Sequence, residues 1–512
     1  MTTAQICICI AIVVYLAAML VIGWFCAKKN SSVDDFYLGG RKLGPLVTAM
    51  SAEASDMSSW LLMGLPGLAY VFGLAEASWT AIGLAIGTYL NWLIVARRLR
   101  RYSHQLDAIT VPQFFSKRWG DERSLLAAIS AVVIIVFFIP YLASGFSACG
   151  KLFASLFGID YVTAMVVSAA VVVGYTVMGG FLAASTTDLV QSIIMTVALI
   201  VVLGFGVAQA GGVGAVIENA QSMAGYLSLT STYDPTTGGS TPYSTLTIVS
   251  LLAWGLGYFG MPHILLRFMA IEDERKLKLS RRIATSWVVI SMGVAIIIGV
   301  VGNAMTSAGA LGELEDSETI IVQISSLLSQ MGIVPALLAG VILAGILAAT
   351  MSTADSQLLA ASSSVSQNLG CEFLRLNLSG KRGVVVARTT MVVISIIAAF
   401  LARDPDSSVF RVVSFAWAGF GAAFGPVVLM ALFWKRSNKY GALAGMVVGC
   451  AMVFIWKFLI APMGGVWAIY ELLPAFVCAT IAIVVVSLLT PAPEKPIVDA
   501  FQASFLKKEE KN

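Results

Sequence analysis

Charged residues are scarce in this sequence of 512 residues: Asp, Glu, Lys and Arg make up 12% of it, whereas about 25% is usual in a soluble domain. Hydrophobic residues make up 58%. Apolar runs of about 20 residues, the length of a membrane-spanning helix, recur as far as roughly residue 490. A helix satisfies its own backbone polar groups in hydrocarbon. The composition therefore excludes a soluble protein and predicts an all-α polytopic membrane protein.

The residues that build enzyme and metal sites are also few. The two histidines, His104 and His263, lie in different segments, so a histidine metal cluster is not available. The seven cysteines are scattered without a CxxC pair and predict neither disulfides nor a metal site. The G-x-G-x-x-G pattern at Gly255, Gly257 and Gly260 lies in an apolar run with no strand before it, which argues against a nucleotide-driven pump. We expect no enzyme, no nucleic-acid partner and no obligate protein partner.

The apolar runs predict about thirteen transmembrane helices. They lie near residues 6–26, 44–70, 74–96, 125–150, 160–179, 187–209, 244–268, 283–306, 330–366, 385–402, 408–433, 440–460 and 466–489. The first run has no Lys or Arg before it and is too long for a secretory signal, so we interpret it as a retained span. The ninth is long enough to tilt or to project from the bilayer.

Basic residues collect in every second connecting segment, as the positive-inside rule requires. The basic segments are Lys28 to Lys42, Arg97 to Arg123, Arg267 to Arg282, Arg375 to Arg388, Lys435 to Lys439 and the tail from Lys495. This alternation predicts that the N-terminus is outside and the C-terminus inside. The longest outside loop, Gly211 to Ser244, is consistent with a gate-like hairpin and with a flexible connection, and its Gly, Ser and Thr content favours the flexible connection.

Two carboxylates fall inside the second span, TAMSAEASDMSSWLLMGLPG, where Glu53 and Asp56 stand among small and hydroxyl residues. Ionisable residues inside a membrane are expensive and mark pathways. Small and hydroxyl residues at this density weaken a helix, so we predict a break at mid-membrane. Its free carbonyls, with Asp56 and serine hydroxyls, suit a hard cation. The alternative is helix packing through small residues.

Two later segments are interrupted in a similar way. The first is ILAGILAATMSTADSQLLAASSS, which contains Ser352, Thr353, Asp355 and Ser356. Taken alone, such hydroxyls usually bond back to the preceding turn, but paired with the second span they strengthen the case for an ion site. The other segment is WGLGYFGMPHILLRFMA, which contains Trp254, Tyr258, Pro262 and His263. Its glycines and proline predict a broken helix beside an aromatic pocket, with an interfacial aromatic belt as the alternative.

At these segments the chain resembles the sodium:solute symporter family, and most closely its sodium/proline symporters. The resemblance is carried by DDFYLGGRKLGP (34–45), SDMSSWLLMGLPG (55–67), WGLGYFGMPHILLRFMA (254–270), MSTADSQLL (351–359) and SFAWAGFGAAFGPVVL (414–429). It implies a LeuT-like core of two inverted five-helix repeats with discontinuous helices. The implied units are a first helix and basic cytoplasmic loop (1–43), the first repeat (44–210), an extracytoplasmic loop (211–243), the second repeat (244–434), two C-terminal helices (435–490) and a cytoplasmic tail (491–512).

The resemblance also implies where the ligands bind. Sodium, the only metal expected, lies between the broken second span and the 330–366 helix, with the site residues Ala54, Asp56, Met57, Ala349, Ser352 and Thr353, of which Asp56 assists by charge. The substrate lies among Ser58, Trp60, Tyr141, Trp254, Tyr258 and Pro262, where aromatic faces accept an apolar ring. The residues implied in coupling or gating are Arg41, Glu53, Asp188 and Asp355.

Two residues depart from the family pattern: Glu53 stands where a small residue is expected, and Met261 replaces a glutamine before Pro262. For Glu53, proton coupling, a changed ion site and an ordinary salt bridge all remain open, and Met261 is a candidate for altered substrate preference. The resemblance implies sodium-coupled symport of L-proline across a bacterial inner membrane by alternating access. The alternatives are a sodium- or proton-coupled symporter of another small amino acid or carboxylate, and a membrane sensor, against which no signalling domain follows residue 490.

Overall fold

The computed structural model describes residues 2–27, 33–378 and 380–504. Parts of the predicted basic loop from Lys28 to Lys42 and of the predicted tail 491–512 therefore lie outside the described residues. The helices are α1 (Thr3–Ala27), α2 (Val33–Leu38), α3 (Pro45–Ser59), α4 (Leu65–Phe72), α5 (Leu74–Leu90), α6 (Ala96–Gln105), α7 (Val111–Arg118), α8 (Leu125–Phe157), α9 (Tyr161–Gln209), α10 (Val213–Ser222), α11 (Thr245–Leu252), α12 (Pro262–Ala270), α13 (Leu277–Ser307), α14 (Ile320–Ser329), α15 (Ile333–Ser363), α16 (Gly380–Leu401), α17 (Val409–Phe433), α18 (Lys439–Ile455), α19 (Leu472–Leu489) and α20 (Lys495–Ala503). Two short strands, β1 (Ser231–Tyr233) and β2 (Ser240–Pro242), pair antiparallel.

Short π-helical or 3₁₀ turns extend several of these helices. Residues Trp60–Gly64 join α3 to α4, Asn91–Val95 join α5 to α6, Ala253–Phe259 follow α11, and Ser364–Phe373 lengthen α15. Helix α9 has a non-helical residue at Gly180, where φ is 71° and ψ is −179°. Only glycine adopts this conformation readily, so Gly180 divides α9 into two helical segments.

Among the described residues, ten helices are long and apolar enough to cross a membrane, and eleven if the bent pair Thr245–Phe259 and Pro262–Ala270 counts as one span. These match eleven of the predicted spans. The other two predicted spans, 44–70 and 160–179, do not meet the same test. The former is interrupted inside α3. The latter provides a shorter apolar helix, Tyr161–Gly174.

Helix α15 lies at the centre of the bundle and packs against α1, α3, α8 and α9. Every residue from Ile342 to Ser363 is buried, whereas Ile333 and Val334 at the start of the helix are exposed. Peripheral helices differ: Val385 and Ile396 of α16 and Leu488 of α19 are 61%, 64% and 57% exposed. Apolar surface on this scale is what a hydrocarbon environment requires.

The long connection after α9 has its own ordered structure, made of α10 and the β1–β2 hairpin. The Tyr226 hydroxyl donates to the carbonyls of Ala69 and Tyr70 at 2.8 and 2.9 Å, and the Trp79 indole donates to the Leu229 carbonyl at 2.7 Å. These bonds fasten the loop to the junction of α4 and α5. The favoured interpretation as a flexible connection is therefore wrong. We call this side of the molecule the hairpin end.

The hairpin turn is closed by Asp234. The hydroxyls of Thr236 and Thr237 donate to its carboxylate oxygens at 2.6 and 2.8 Å, and the Thr236 amide donates at 2.9 Å. These hydrogen bonds favour the charged form and lower the pKa of Asp234 to about 2. The turn thus keeps its bonds at acid pH, where an ordinary aspartate with a pKa near 3.9 protonates.

Close packing of α5 against the turn after α11 depends on glycine. A Cβ atom on Gly87 would lie 2.2 Å from the Gly255 carbonyl oxygen, which is backbone and cannot rotate away. We expect Gly87→Ala to destabilise the protein by about 1–3 kcal/mol through overpacking. The measurement is the thermal unfolding midpoint of purified protein in detergent.

The matched control for this prediction is Gly204→Ala in α9, because no atom lies within 4 Å of a Cβ built there. Alanine forms helices better than glycine by about 1 kcal/mol, so the control should keep or raise the unfolding midpoint. Equal midpoints for the two variants would contradict the proposed packing constraint.

Candidate ion and substrate site

Helix α3 is interrupted at Ser58, whose φ of 47° and ψ of −168° lie outside the helical region. Positive φ is uncommon for residues other than glycine, and such strained residues cluster at functional sites. The Trp60 amide donates to the Ser58 hydroxyl at 3.1 Å. The predicted break in the second span is confirmed, and it lies two residues after Asp56.

Four of the six residues predicted to bind sodium meet where α15 contacts α3. The Ser352 hydroxyl donates to the carbonyls of Ala54 and Ala349 at 2.9 and 3.0 Å. The Thr353 hydroxyl donates to the Ala349 carbonyl at 3.1 Å. All four residues are buried. Hydroxyl and carbonyl oxygens near a broken helix are the donor set that suits a sodium ion.

The other two predicted ligands lie at the break itself. The Met57 carbonyl accepts the Trp60 amide, which leaves one of its two lone pairs available. The Asp56 carboxylate accepts the Tyr258 hydroxyl at 2.6 Å, and the Asp56 carbonyl accepts the Tyr141 hydroxyl at 2.9 Å. The Asp56 side chain is therefore bonded to a predicted substrate residue rather than to the hydroxyls of α15.

The predicted substrate residues lie around the Asp56 carboxylate and on the side of it that faces the hairpin end. The rings of Trp60 and Trp254 are 5.8 Å apart between centroids. Trp417 supports both aromatic groups of the turn after α11: its indole donates to the Trp254 carbonyl at 2.8 Å, and its ring lies edge-on to Tyr258 at 5.1 Å. Pro262 begins α12, beyond a 47° bend in the chain. The structure thus brings tyrosine hydroxyls, a carboxylate and two indole faces together.

Glu53 is 1% exposed, and its carboxylate faces α5 and the turn that follows it. The Trp92 indole donates to one oxygen at 2.9 Å, and the Thr88 hydroxyl donates to the other at 3.3 Å. Within the described part of the chain it forms no salt bridge, so the ordinary ion pair considered from the sequence is not what holds this residue. Neutral donors on one neighbouring helix hold it instead.

Asp188 lies in a buried cluster that joins four helices. Arg267 of α12 donates to the Asp188 carboxylate of α9 at 3.2 Å, to the Ser356 hydroxyl of α15 at 2.5 Å and to the Ser51 hydroxyl of α3 at 3.0 Å. The Ser51 hydroxyl also donates to Asp188 at 2.6 Å. Charged partners that are this deeply buried must satisfy one another, because water cannot reach them.

Arg267 begins the segment Arg267 to Arg282 that the sequence predicts to be basic and cytoplasmic, and the structure shows that its side chain is buried, with 1% exposed. Its guanidinium also lies 5.0 Å from the ring centroid of Phe181. The signal that could have identified it was available, since Arg267 ends an apolar run and Asp188 lies inside another. Two opposite charges in apolar segments indicate a pair.

The remaining residues predicted for coupling or gating lie elsewhere. Arg41 donates to the carbonyls of Met269 and Ala108 at 2.8 and 2.6 Å, so it fastens the end of α12 to the loop before α7. Asp355 accepts the Thr176 hydroxyl at 2.5 Å, which joins α15 to α9. These hydrogen bonds of Arg41 and Asp355 thus connect two different pairs of elements.

Toward the hairpin end, an ionic cluster holds the first turn of α17. Glu318 accepts the amides of Val409 and Phe410, both at 3.1 Å, and the Ser408 hydroxyl at 2.9 Å. Lys151 binds Glu318 at 2.8 Å. A carboxylate at a helix N-terminus satisfies free amides and the helix dipole. Nothing in the local sequence singles out Glu318, because its partners in α17 are about 90 residues away.

Phe410 belongs to an aromatic layer above the site. Its ring centroid lies 6.0 Å from that of Trp60 and 5.5 Å from that of Trp254, which in turn stacks on Tyr470 at 5.0 Å. Above this layer is a cavity of about 1000 Å³ lined by parts of α4, α5, α8 and α17. Gly64 and Phe410 are among the residues that line it. The aromatic layer therefore separates this cavity from the carboxylate of Asp56.

The buried pair supports a double-mutant test. Asp188→Asn or Arg267→Gln alone leaves an unpaired buried charge, and we expect each to destabilise the protein by about 3–5 kcal/mol. The double variant should lose less than the sum, because neither charge is left alone. Unfolding midpoints in detergent measure all three, and additive losses would contradict direct pairing.

Two proline transporters of known function match this chain over nearly its whole length. An osmoregulated proline transporter of Bacillus subtilis is 43% identical over 489 residues, covering 95% of this chain and 96% of the relative. A sodium/proline symporter of Haemophilus influenzae is 43% identical over 501 residues, covering 96% of each.

Among solved structures, a substrate-bound, outward-open Na⁺-coupled sialic acid symporter superposes with a TM-score of 0.76 at 18% identity, covering 96% of this chain and 99% of that one. At this identity the likeness establishes the fold alone. The model of the sodium:solute symporter family matches residues 36–449. The broken α3, its contact with the hydroxyls of α15 and this match over most of the sequence agree, and the chain belongs to the sodium:solute symporter family.

Proposed function

We propose that this protein carries L-proline into a bacterial cell across the inner membrane, in symport with sodium. It is a transporter and not an enzyme. The observation that carries the proposal is the contact of Ser352 with the Ala54 carbonyl inside a chain of this family. Proline is the substrate because relatives that match nearly the whole chain at 43% identity are proline transporters.

The sodium ion is assigned to the meeting point of α3 and α15. The hydroxyls of Ser352 and Thr353 now donate to the carbonyls of Ala54 and Ala349. A bound cation takes up the oxygen lone pairs of all four groups, and the hydroxyl protons turn away. The Met57 carbonyl supplies a further oxygen. Asp56 contributes charge rather than a fixed bond, since its carboxylate is held by Tyr258.

The proline zwitterion is assigned to the space below the aromatic layer. Its pyrrolidine ring packs on the indole faces of Trp60 and Trp254, and its charged groups meet the hydroxyls of Tyr141 and Tyr258 and the backbone around Ser58. Pro262 limits the pocket where the chain bends. Both tyrosines already bond to Asp56, so a ligand that draws either hydroxyl away alters the environment of the residue next to the ion site.

The proposed architecture has thirteen spans, with the N-terminus outside and the C-terminus inside. Two inverted repeats, 44–210 and 244–434, form its core, and 435–490 adds two helices. Support comes from the positions of the two main breaks: Ser58 interrupts the first span of one unit, and residues between Phe259 and Pro262 interrupt the first span of the other. Interruptions at corresponding positions of two halves mark the binding site of transporters with inverted repeats.

Alternating access requires a closure on each side of the site. The hairpin side is closed by the aromatic layer and by Glu318, which holds the first turn of α17. The other side is closed by the cluster of Arg267 and Asp188, which ties α12 and α9 to α3 and α15. Arg41, Glu53 and Asp355 are assigned to the coupling between helices, each through the neighbour that it bonds.

The rivals are another small amino acid or carboxylate as substrate, a proton as coupling ion, and a sensor that binds without transport. If a proton is the coupling ion, Glu53 is the residue assigned to carry it, beside the same site. Competition by unlabelled solutes separates the substrates. Binding without accumulation would favour the sensor.

The ion site is tested by Ser352→Ala combined with Thr353→Ala. In proteoliposomes of purified wild-type protein, an inward sodium gradient should drive L-proline accumulation. We expect the apparent sodium affinity of the double variant to fall at least about tenfold. The reason is that the variant loses two hydroxyl ligands, which together contribute more than about 1.4 kcal/mol to sodium binding. A proton gradient alone serves as the reference condition.

The matched control is Ser363→Ala with Ser364→Ala. In the described structure these two buried hydroxyls both donate to the Ala360 carbonyl, within the same helix and its extension. The control should keep wild-type sodium dependence. An unchanged sodium affinity in the Ser352 and Thr353 variant would refute the assigned ion site, and no proline uptake by folded wild type would refute the substrate.

Coupling is tested by linkage. If the two ligands share α3, sodium must raise proline affinity by the same factor by which proline raises sodium affinity. We expect Tyr258→Phe, which removes the hydroxyl that bonds Asp56 at 2.6 Å, to reduce that factor. Equilibrium binding titrations with and without the second ligand measure it, and equal proline affinity in both conditions would exclude the shared-helix mechanism.

A further inference from the structure

The cavity at the hairpin end contains a cation that the rest of the structure leaves uncommitted. Arg411, in the first turn of α17, lines the cavity and is exposed to it. Among the described residues its guanidinium makes no hydrogen bond or ion pair. Lys151, the other basic residue in the lining, is held by Asp316 and Glu318, both at 2.8 Å. Arg411 is therefore the guanidinium available to a ligand in this space.

Glu76 of α5 provides the opposite charge in the same lining. Its carboxylate accepts the Tyr243 hydroxyl from the hairpin loop at 3.5 Å, a long bond that leaves most of its acceptor capacity unused. Its charge interacts with that of Arg411, yet the two side chains form no direct ion pair in the described structure. Glu76 and Arg411 thus line the same cavity, together with the further acids Glu313, Glu315, Asp316, Glu318 and Asp406.

We propose that this cavity is an outer docking site for the zwitterionic amino-acid substrate, with Arg411 binding its carboxylate and Glu76 binding its cationic nitrogen. The assignment rests on the proposed function. A guanidinium matches a carboxylate with two parallel hydrogen bonds. A site built for sodium alone would need no guanidinium, and a site for an anion would not place a carboxylate opposite.

The position of Arg411 connects docking with entry. It directly follows Phe410, whose ring lies over Trp60 and Trp254. A zwitterion held by Arg411 therefore rests immediately above the aromatic layer and next to the turn that Glu318 holds. The lining contains none of the residues assigned to the ion, so docking is independent of sodium.

Docking is tested first by binding without transport. Ligand-observed NMR detects weak binding of L-proline to the purified full-length Ser352→Ala, Thr353→Ala variant in sodium-free buffer. We expect binding that Arg411→Gln and Glu76→Gln each abolish and that pyrrolidine, which lacks the carboxylate, does not displace. The controls Glu315→Gln, an exposed acid in the same lining, and Arg403→Gln, a cation outside the lining, should bind as the parent does.

Transport kinetics supply the second readout. With an inward sodium gradient, Arg411→Gln and Glu76→Gln in the otherwise native chain should raise KM for proline about tenfold, the loss of one good polar contact, with kcat within about twofold. Arg411→Lys should recover part of the KM. Unchanged KM in both variants would overturn the docking site, and a lower kcat at unchanged KM would in addition assign the pair to gating.

The two tests separate the proposals. Sodium-driven proline uptake by wild type together with no sodium-free NMR binding would overturn docking and keep the function. Proline displaced from the cavity by added sodium at constant ionic strength would identify a cation site instead and would also overturn the proposal. No uptake by wild type would refute the function, and the NMR arm would still decide docking.

Discussion

The contact between the Ser352 hydroxyl and the Ala54 carbonyl is the constraint on which the rest of the structure depends. It joins the buried part of α15 to the segment of α3 that ends at the break. The strained backbone at Ser58 persists because its surroundings are packed on every side: all residues from Thr48 to Ser59 are buried. Any movement of α3 relative to α15 must exchange this hydrogen bond for another interaction, and in the proposed mechanism a sodium ion provides that exchange.

The same short segment also supports the substrate site. Asp56 lies between the carbonyl of Ala54 and the break at Ser58, and its two bonds to tyrosine reach α8 and the turn after α11. Three elements of the bundle therefore meet at one residue. In the proposed mechanism, ion and substrate need no long pathway between them, because both sites are assigned to the same few residues of α3. This proximity is the physical basis of the coupling assigned to the protein.

The two ends of the molecule are closed by different kinds of interaction. At the hairpin end, aromatic rings and a carboxylate that accepts two helix amides hold the first turn of α17. Such contacts lie beside a cavity, and water can replace them when they open. At the other end, Arg267 and Asp188 are buried and depend on each other. Breaking the cluster of Arg267 and Asp188 costs more free energy than opening the hairpin end, unless water enters and solvates the separated charges.

Local sequence predicted much of this structure. The apolar runs predicted the helical membrane architecture, and the small and hydroxyl residues around Asp56 predicted the break in α3. Both predictions succeeded because a spanning helix and a helix break each depend on the composition of one short segment. The motifs gave the family. Ten of the eleven spans that match the prediction are single helices, and the eleventh is the bent pair Thr245–Phe259 and Pro262–Ala270. The span at 44–70 was identified from the sequence, although its interruption keeps it from passing the same length test in the structure.

Pairing across the fold could not be read from the sequence. Arg267 and Asp188, or Glu318 and the amides of α17, are tens of residues apart, and only the packed bundle places each charge beside its partner. The ordered hairpin loop was missed for the same reason, since its stability comes from α4 and α5 rather than from its own composition. The sequence by itself determined that helices cross the membrane and where one of them breaks. Only the tertiary structure decided which charges are shared, because a buried charge is satisfied by whichever group the fold brings within a hydrogen bond.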